Sequence, residues 1–348
     1  MRWRIVAAVA AVAVLLAVPF SVGTYAVSTW SNALTFAVLA MSVNLLTGIA
    51  GLPTLGQAAY FGAGGYAAAL VALNVSELGP VQLVAGGLVG AALAAVTGPA
   101  AIRARGVAFL MITLAIGELA YVAAGQLSGI TRGTDGISGI PAVVPLPGME
   151  PLANKGILYY YVLAVVILVF IAIAVLLRSP FGASLRGLRD NEDRLRAVGY
   201  RPTAYAYGAY VIAGGIAGIG GSLLVTTERF IAPGDLGFDI AALALLAVIL
   251  GGVGSMWGAC VGAIVVIFVR DYVGSSLSGS LAGHGPLLLG ILFVLVIYLL
   301  PRGIAGGIRL PRRQRNRPAG DRDGHDPSDD RDGPEPGDGV TDEKRVGV

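Results

Sequence analysis

Runs of about 20 apolar residues recur along this chain, and a run of that length is what a helix needs to cross a lipid bilayer. Of the 348 residues, 55% are apolar and only 13% are charged, more apolar surface than a soluble domain of this size needs. We therefore predict an all-α polytopic membrane protein with about ten transmembrane helices, some of them broken or glycine-rich. The predicted spans fall at residues 5–20, 31–50, 51–70, 81–102, 106–124, 157–177, 205–225, 240–250, 251–269 and 286–300.

The two ends of the chain need separate treatment. Residues 5–20 follow a basic start, which suits either a signal peptide or a first span; no clear small-x-small cleavage site follows, so we predict a span. Beyond Gly307 the chain is rich in Arg and then in Asp, Gly and Pro. Such a composition cannot build a core, so we predict a transmembrane domain at 1–307 and a disordered cytoplasmic tail at 308–348.

Glycine is concentrated in the segment Gly51–Leu70, which Pro53 also interrupts. Small residues allow two helices to pack closely, whereas a broken helix can line a cavity; we favour close packing as the commoner case. Other glycines recur four residues apart, at positions 86 and 90, 214 and 218, and 254, 258 and 262. A shift of 200 residues also aligns several residues near Gly51 with residues near Gly251, which hints at an internal repeat.

A polar segment at residues 178–202 separates two apolar runs. Pro180 and Gly182 predict a turn, Ser184 can cap a helix start, and Gly199 predicts a helix end in the left-handed region. We expect one short amphipathic helix at the membrane surface, with an apolar stripe that has no partner within the chain. The alternative is a solvated loop. The stripe consists of Leu185, Leu188, Leu195 and Val198.

Arginines are distributed unevenly between the two predicted sides of the membrane. One side has only Arg132, Lys155, Arg229 and Arg270. Because positive residues accumulate on the cytoplasmic side, we predict that the other side, with both termini and the 178–202 loop, is cytoplasmic. That side has Arg2, Arg4, Arg103, Arg105, Arg178, Arg186, Arg189, Arg194, Arg196 and Arg201.

Several classes of chemistry lack their signatures in this sequence. Neither lysine, Lys155 or Lys344, lies in a phosphate-binding G-x-x-x-x-G-K-[ST] motif, so the chain has no P-loop. The single cysteine, Cys260, excludes a disulfide framework and a cysteine-based metal site. No acid, base and metal-ligand constellation marks an enzyme. An ion-coupled secondary transporter remains an alternative, with Glu118 as its ion site at membrane depth.

The 178–202 segment, RSPFGASLRGLRDNEDRLRAVGYRP, resembles the coupling loop of ABC importer permeases of the branched-chain amino-acid family (LivH/LivM). In that family this loop is a short helix that docks into a cleft of the ATP-binding subunit. The resemblance implies coupling roles for Arg186, Arg189, Asp190, Asn191, Glu192, Ala197 and Gly199.

Further stretches carry the same resemblance. TLGQAAYFGAGGY in the first half, GGVGSMWG in the second and LPRGIAGG near residue 307 are similar to the family's signatures. SGITRGTDGISGIP lies in the predicted extracytoplasmic loop 125–156 and resembles the corresponding loop of LivM-type permeases. The resemblance implies that this loop faces a binding protein through Thr131, Gly133, Asp135 and Gly136.

The resemblance implies a permease subunit of an ABC importer, a multi-pass protein of the plasma membrane that is not itself an enzyme. Its partners would be ATP-binding subunits that bind ATP and Mg, a second permease of LivH type, an extracytoplasmic solute-binding protein and the lipid bilayer. The resemblance implies no nucleic-acid partner, and no cofactor or metal in this chain. Leucine, isoleucine and valine are the implied solutes, with urea or short amides as the alternative. As residues of the substrate pathway we expect Asn44, Gln57, Thr113 and Glu118.

Overall fold

A computed structural model of the protein describes residues 24–152 and 154–276, with short pieces at 15–16, 19, 290–291, 294 and 303–304. Most of the predicted spans 5–20 and 286–300, and all of the tail 308–348, lie outside these residues. The described part is helical, and no β-strand is assigned in it. The all-α polytopic fold is therefore confirmed.

The described chain contains eleven α-helices, several of them too short to span a membrane. A π-helical turn, Leu45–Ala50, continues the first helix, and 3-10 turns lie at Gly133–Asp135 and Pro233–Leu236. Within the described residues, five helices are long and apolar enough to cross a membrane, at Ala26–Ala50, Gly79–Ala101, Val107–Gln126, Lys155–Arg178 and Pro202–Glu228. The α-helices are α1 (Thr24–Asn44), α2 (Gln57–Asn74), α3 (Gly79–Ala101), α4 (Val107–Gln126), α5 (Ser128–Thr131), α6 (Lys155–Arg178), α7 (Pro180–Asp190), α8 (Glu192–Ala197), α9 (Pro202–Glu228), α10 (Phe238–Gly251) and α11 (Met256–Ser276).

Helix α1 with its π-turn forms the centre of the bundle. Its most apolar stretch is 94% buried, whereas those of α3, α4 and α6 are only 28%, 22% and 33% buried. The latter three helices therefore present most of their surface outward, to lipid or to another protein.

Glycines bring α9 into direct backbone contact with α2 and α3. A Cβ added at Gly64 would lie 2.5 Å from the Gly218 carbonyl oxygen, and one added at Gly90 would lie 2.5 Å from that of Gly214. Helices in lipid gain little from apolar burial, so close backbone approach is what holds them together. The predicted close packing is confirmed for Gly64, Gly90, Gly214 and Gly218, whereas residues 51–56 of the same glycine-rich segment form a break before α2.

Two ends of the bundle are defined by contacts between distant connections. At the arginine-rich end, the α3–α4 connection meets α8 through an ion pair between Arg105 and Glu192, 2.7 Å apart. At the opposite end, here the loop end, Ile137 and Ile231 exchange backbone hydrogen bonds of 2.8 and 3.1 Å. These two ends carry different candidate sites.

Candidate coupling and transport sites

The polar segment forms two helices, α7 and α8, so the predicted single helix beginning near Ser184 is wrong. Helix α7 begins at Pro180, where a missing N–H costs nothing, and the Ser184 hydroxyl donates to the Pro180 carbonyl inside it. The break falls at Asn191, whose backbone is extended at φ −166°. Its side chain accepts a 2.9 Å hydrogen bond from the Arg194 amide and thereby caps the start of α8.

The predicted unpartnered apolar stripe is also wrong. Leu185 is fully buried and Leu188 is nearly so, because both pack into the core of this chain. Leu195 is half-buried, and only Val198 is largely exposed. The surface that α7 and α8 leave open is instead the exposed end of α8, around Ala197 and Val198.

Gly199 ends α8 in the left-handed region, at φ +91°, as its position in the sequence predicts. The Tyr200 amide donates to the Leu195 carbonyl and the Gly199 amide to the Arg196 carbonyl, which is the Schellman pattern. No atom lies within 4 Å of a Cβ added at Gly199, so backbone conformation rather than space favours glycine here.

Charged side chains fasten α7 and α8 to the rest of the arginine-rich end. Glu192 pairs with Arg105 at 2.7 Å and with Arg196 at 3.2 Å. Arg186 donates to the Leu177 carbonyl in the last turn of α6, where a cation is favourable. Asp190 and Ala197 are exposed.

Arg189 reaches from α7 into the end of the π-turn. Its guanidinium donates a hydrogen bond to the Gly48 carbonyl. That carbonyl has no helical partner, because the Leu52 amide donates to Leu46 instead and Pro53 has no N–H. The stem of Arg189 packs on Gly51, which is left-handed at φ +75°. Arg189 thus supplies the donor that Pro53 lacks.

The π-turn also meets a second helix break, between α10 and α11. The Asn44 side chain accepts a 2.8 Å hydrogen bond from the Gly254 amide, and a Cβ added at Gly48 would overlap the backbone of Gly254. Gly254 in turn lies beside Arg189: a Cβ added there would be 3.0 Å from the guanidinium. Arg189 therefore touches both breaks.

The two breaks have the same layout. In each, a helix ends near a glycine, a short irregular link follows and a new helix begins, at Gln57 in one case and at Met256 in the other. Gly51 and Gly251 are 200 residues apart, which is the shift that hinted at an internal repeat.

Two of the predicted pathway residues come together at the first break. Thr113 on α4 accepts a 3.2 Å hydrogen bond from the Leu55 amide, and its backbone lies against Gly56. Gln57 follows directly, is buried and has no hydrogen-bond partner for its amide among the described residues. Asn44 is engaged with Gly254, while Glu118 points outward from α4 and is exposed.

At the loop end, the segment resembling the LivM loop is tightly folded. The buried Thr131 hydroxyl donates to the Ala124 carbonyl at 2.6 Å and accepts from the Gly133 amide at 3.3 Å. Gly133 and Gly136 have positive φ, and a Cβ added at Gly136 would lie 2.9 Å from the Cα of Ala232. Asp135 is exposed. Three of these four residues therefore shape the loop, and Asp135 is free to meet a partner.

A cavity of about 290 Å³ lies at the loop end, and no sequence pattern predicts it. It lies among α1, α2, α9, the Phe230–Asp235 connection, α10 and α11, so six separate segments contribute to its wall. Three charged side chains line it, those of Glu228, Asp235 and Arg270. Among the described residues, no cluster of three or more His, Cys, Asp or Glu side chains is placed to hold a metal ion.

Residues 25–300 match the family model described as "Branched-chain amino acid transport system / permease component". The LivM permease protein of the high-affinity branched-chain amino acid transport system of Salmonella typhimurium is 28% identical over 313 residues, which covers 84% of this chain and 72% of the relative. A probable LivH permease protein of Methanocaldococcus jannaschii is 25% identical over 80% of this chain and 90% of its own length.

A shorter match, 27% identical over 36% of this chain and 38% of the relative, is to the fructose import permease protein FruF of Bifidobacterium longum. No solved structure matches the chain. The family model covers most of the chain and both helix breaks. The protein therefore belongs to the branched-chain amino acid transport permease family, the membrane-spanning and non-catalytic subunits of ABC importers.

Proposed function

We propose that this permease carries branched-chain amino acids across the plasma membrane as the LivM-type half of a two-permease channel. The proposal for the solute rests on relatives named as branched-chain amino acid permeases. Separate subunits bind ATP and Mg, and an extracytoplasmic protein delivers the solute to the loop end. The shorter similarity to a fructose permease keeps other small polar solutes, including urea and short amides, as the alternative to test.

The arginine-rich end faces the cytoplasm in this proposal, with both termini on the same side. Its support is the concentration of Arg103, Arg105 and the arginines of α7 and α8 there, since cytoplasmic loops accumulate positive residues. The loop end, with the 125–156 loop and Asp135, then faces outward to the binding protein. Each candidate site is thus on the side where its partner would be.

The single observation that carries the coupling proposal is the bond from Arg189 to the Gly48 carbonyl. ATP-binding subunits dock on the open end of α8, near Ala197, and their closure moves α7 and α8 together. Arg189 then transmits that motion to both helix breaks, because it touches each of them. A break held by a few hydrogen bonds can adopt two arrangements more easily than a continuous helix, which suits a gate between inward-open and outward-open states.

The second permease subunit covers the exposed face of α4. Glu118 lies on that face about 16 Å along the helix from its start, at about 1.5 Å per residue. A carboxylate at this depth is costly to expose to lipid, so protein or water must cover it. The solute path then runs between the two permeases, beside Gln57 and Thr113 at the first break.

Uptake of labelled leucine, urea and fructose distinguishes the solutes, in cells with the complete transporter and in cells that lack this gene. We expect leucine uptake to depend on the gene, with the other two solutes unaffected. Gene-dependent uptake of urea or fructose without leucine uptake would contradict the proposed solute and leave family membership intact.

A further inference from the structure

The cavity at the loop end combines both signs of charge with an apolar wall. Glu228 and Asp235 supply negative charge, and Arg270 supplies positive charge. The rest of the wall is mainly aromatic and aliphatic, from Phe36, Phe61, Leu224, Phe230, Ile240 and Ile267. Small-molecule sites have this character, a mostly apolar surface with a few convergent polar groups.

The acidic side chains are held in place and keep acceptor capacity toward the cavity. The Glu228 carboxylate accepts a 2.6 Å hydrogen bond from the Asn32 amide through Oε1, and Asp235 accepts one of 2.9 Å from the Ala232 amide through Oδ2. A carboxylate has two oxygens and about four acceptor sites, so each retains an oxygen for a ligand. Within the described residues, neither carboxylate forms an ion pair.

The titration of Asp235 reflects this setting. Burial raises its pKa above the usual value and Glu228 raises it further, while the Ala232 amide and Arg270 lower it. Two carboxylates near each other in a partly buried site are stabilised by a cation.

A buried hydroxyl in the same wall has no partner. Thr35 on α1 lines the cavity with 1% of its surface exposed, and no described residue hydrogen-bonds its hydroxyl. Buried polar atoms are normally paired, because leaving one unpaired costs free energy. The threonine could have bonded to its own helix, as Ser31 does with the Val27 carbonyl. An unpaired group in a cavity wall is one that a ligand can satisfy.

We infer that this cavity is the outward-facing binding site for a zwitterionic amino acid with an aliphatic side chain. Glu228 and Asp235 bind the ammonium group, Arg270 binds the carboxylate and the aromatic and aliphatic wall takes the side chain. Arg270 also contacts its neighbour Asp271 at 3.3 Å, and a bound carboxylate competes with that adjacent pair. The inference rests on the proposed function and names residues for it. The binding protein would release the solute into this cavity.

The test measures binding of labelled leucine, and of two analogues, to the two permeases with their ATP-binding subunits in lipid nanodiscs. Nucleotide and the extracytoplasmic binding protein are left out, because the binding protein would itself bind leucine. Leucinamide lacks the carboxylate, and 4-methylpentanoate lacks the ammonium. Arg270→Gln should weaken leucine binding about 10- to 100-fold, the value of a hydrogen bond to a charged group, and leave leucinamide binding nearly unchanged. Asp235→Asn should weaken leucine binding and leave 4-methylpentanoate binding nearly unchanged.

Lys155→Gln is the matched control, because Lys155 is a cation at the same end that does not line this cavity. It should bind leucine as the unmodified protein does. Arg270→Lys, which keeps the charge, should recover part of the loss and shows that the site still folds. The pairing of each variant with one analogue separates a lost contact from general damage.

Three results would overturn the site: no saturable leucine binding by the unmodified complex, unchanged leucine binding in both variants, or equal losses for leucine and both analogues. ATP-driven leucine uptake that all these variants leave intact would reject the site and keep the proposed function. Absence of any leucine uptake by the unmodified transporter would instead reject the proposed function.

Discussion

Replacing Arg189 with methionine should uncouple ATP hydrolysis from transport. Methionine keeps an unbranched stem against Gly51 but donates no hydrogen bond to the Gly48 carbonyl. Pro53 cannot supply the missing donor, so the carbonyl is left unpaired. A hydrogen bond from a charged group contributes about 1.5–3 kcal/mol, which corresponds to an approximately 10- to 100-fold weaker link between α7 and the first break.

The assay compares leucine uptake and ATP hydrolysis by the transporter in proteoliposomes. With Arg189→Met we expect the ATP-binding subunits to co-purify and hydrolyse ATP, while the number of ATP molecules used per leucine rises by at least several-fold. Arg103→Met is the matched control, since Arg103 is exposed at the same end, lies outside α7 and α8 and forms no ion pair among the described residues. It should behave as the unmodified transporter.

An unchanged ratio of ATP to leucine in Arg189→Met would refute the role of Arg189 in transmission. Loss of the ATP-binding subunits from this variant would also refute it, because Arg189 would then contact those subunits directly. The number of ATP molecules used per leucine by Arg189→Lys should lie between the values for the unmodified transporter and for Arg189→Met, since lysine keeps the charge but not the geometry of the guanidinium.

Three further outcomes follow from other parts of the structure. Ala197→Glu should abolish co-purification of the ATP-binding subunits while the permease still inserts, because an unpaired charge buried in their cleft costs several kcal/mol. If this variant keeps both the ATP-binding subunits and leucine uptake, α8 is not the docking surface. Gly221→Val should lower the amount of folded permease in the membrane, because a Cβ there would lie 2.7 Å from the Gly65 amide nitrogen and overpacking costs about 1–3 kcal/mol or more. Gly129→Val is the control and should leave that amount unchanged, because a Cβ at Gly129 lies in open space. Asp235→Asn should raise the thermal stability of the protein at neutral pH. Burial raises the pKa of Asp235 in the folded state, so the protonated carboxyl stabilises the fold below the usual pKa, and this contribution is lost as pH rises through the pKa of the folded state. Asparagine stays neutral at every pH and avoids that loss. That gain should vanish in acid, and a gain that persists there would contradict the raised pKa.

The sequence was sufficient for features set by local chemistry or by repetition. Apolar runs predict the helices, glycines four residues apart predict close packing, and Gly199 predicts a left-handed helix end. Each depends on residues near in sequence, or on a backbone preference that a single residue type carries.

The sequence was insufficient where a choice depends on distant residues. Asn191 suits both a helix surface and a helix cap, and only the folded chain shows that it caps α8. Leu185 and Leu188 form an apolar face in the sequence, but the sequence does not show what covers that face. In the structure the core of the same chain covers it.

The contact between Arg189 and Gly48 joins residues 141 positions apart, so no local pattern predicts it. One signal was available: Pro53 lies five residues after Gly48 and leaves a carbonyl in need of a donor. The loop-end cavity draws Thr35, Glu228 and Arg270 from three different helices, and its charges look like ordinary loop charges in the sequence.

The energy source for leucine uptake distinguishes an ABC importer from an ion-coupled transporter. The complete transporter is placed in proteoliposomes with labelled leucine and the binding protein outside, and ATP is supplied only inside. We predict uptake that requires both ATP and the binding protein and that persists when ion gradients are abolished. Uptake that needs no ATP, follows an imposed proton or sodium gradient and is lost in Glu118→Gln would contradict it and identify an ion-coupled transporter.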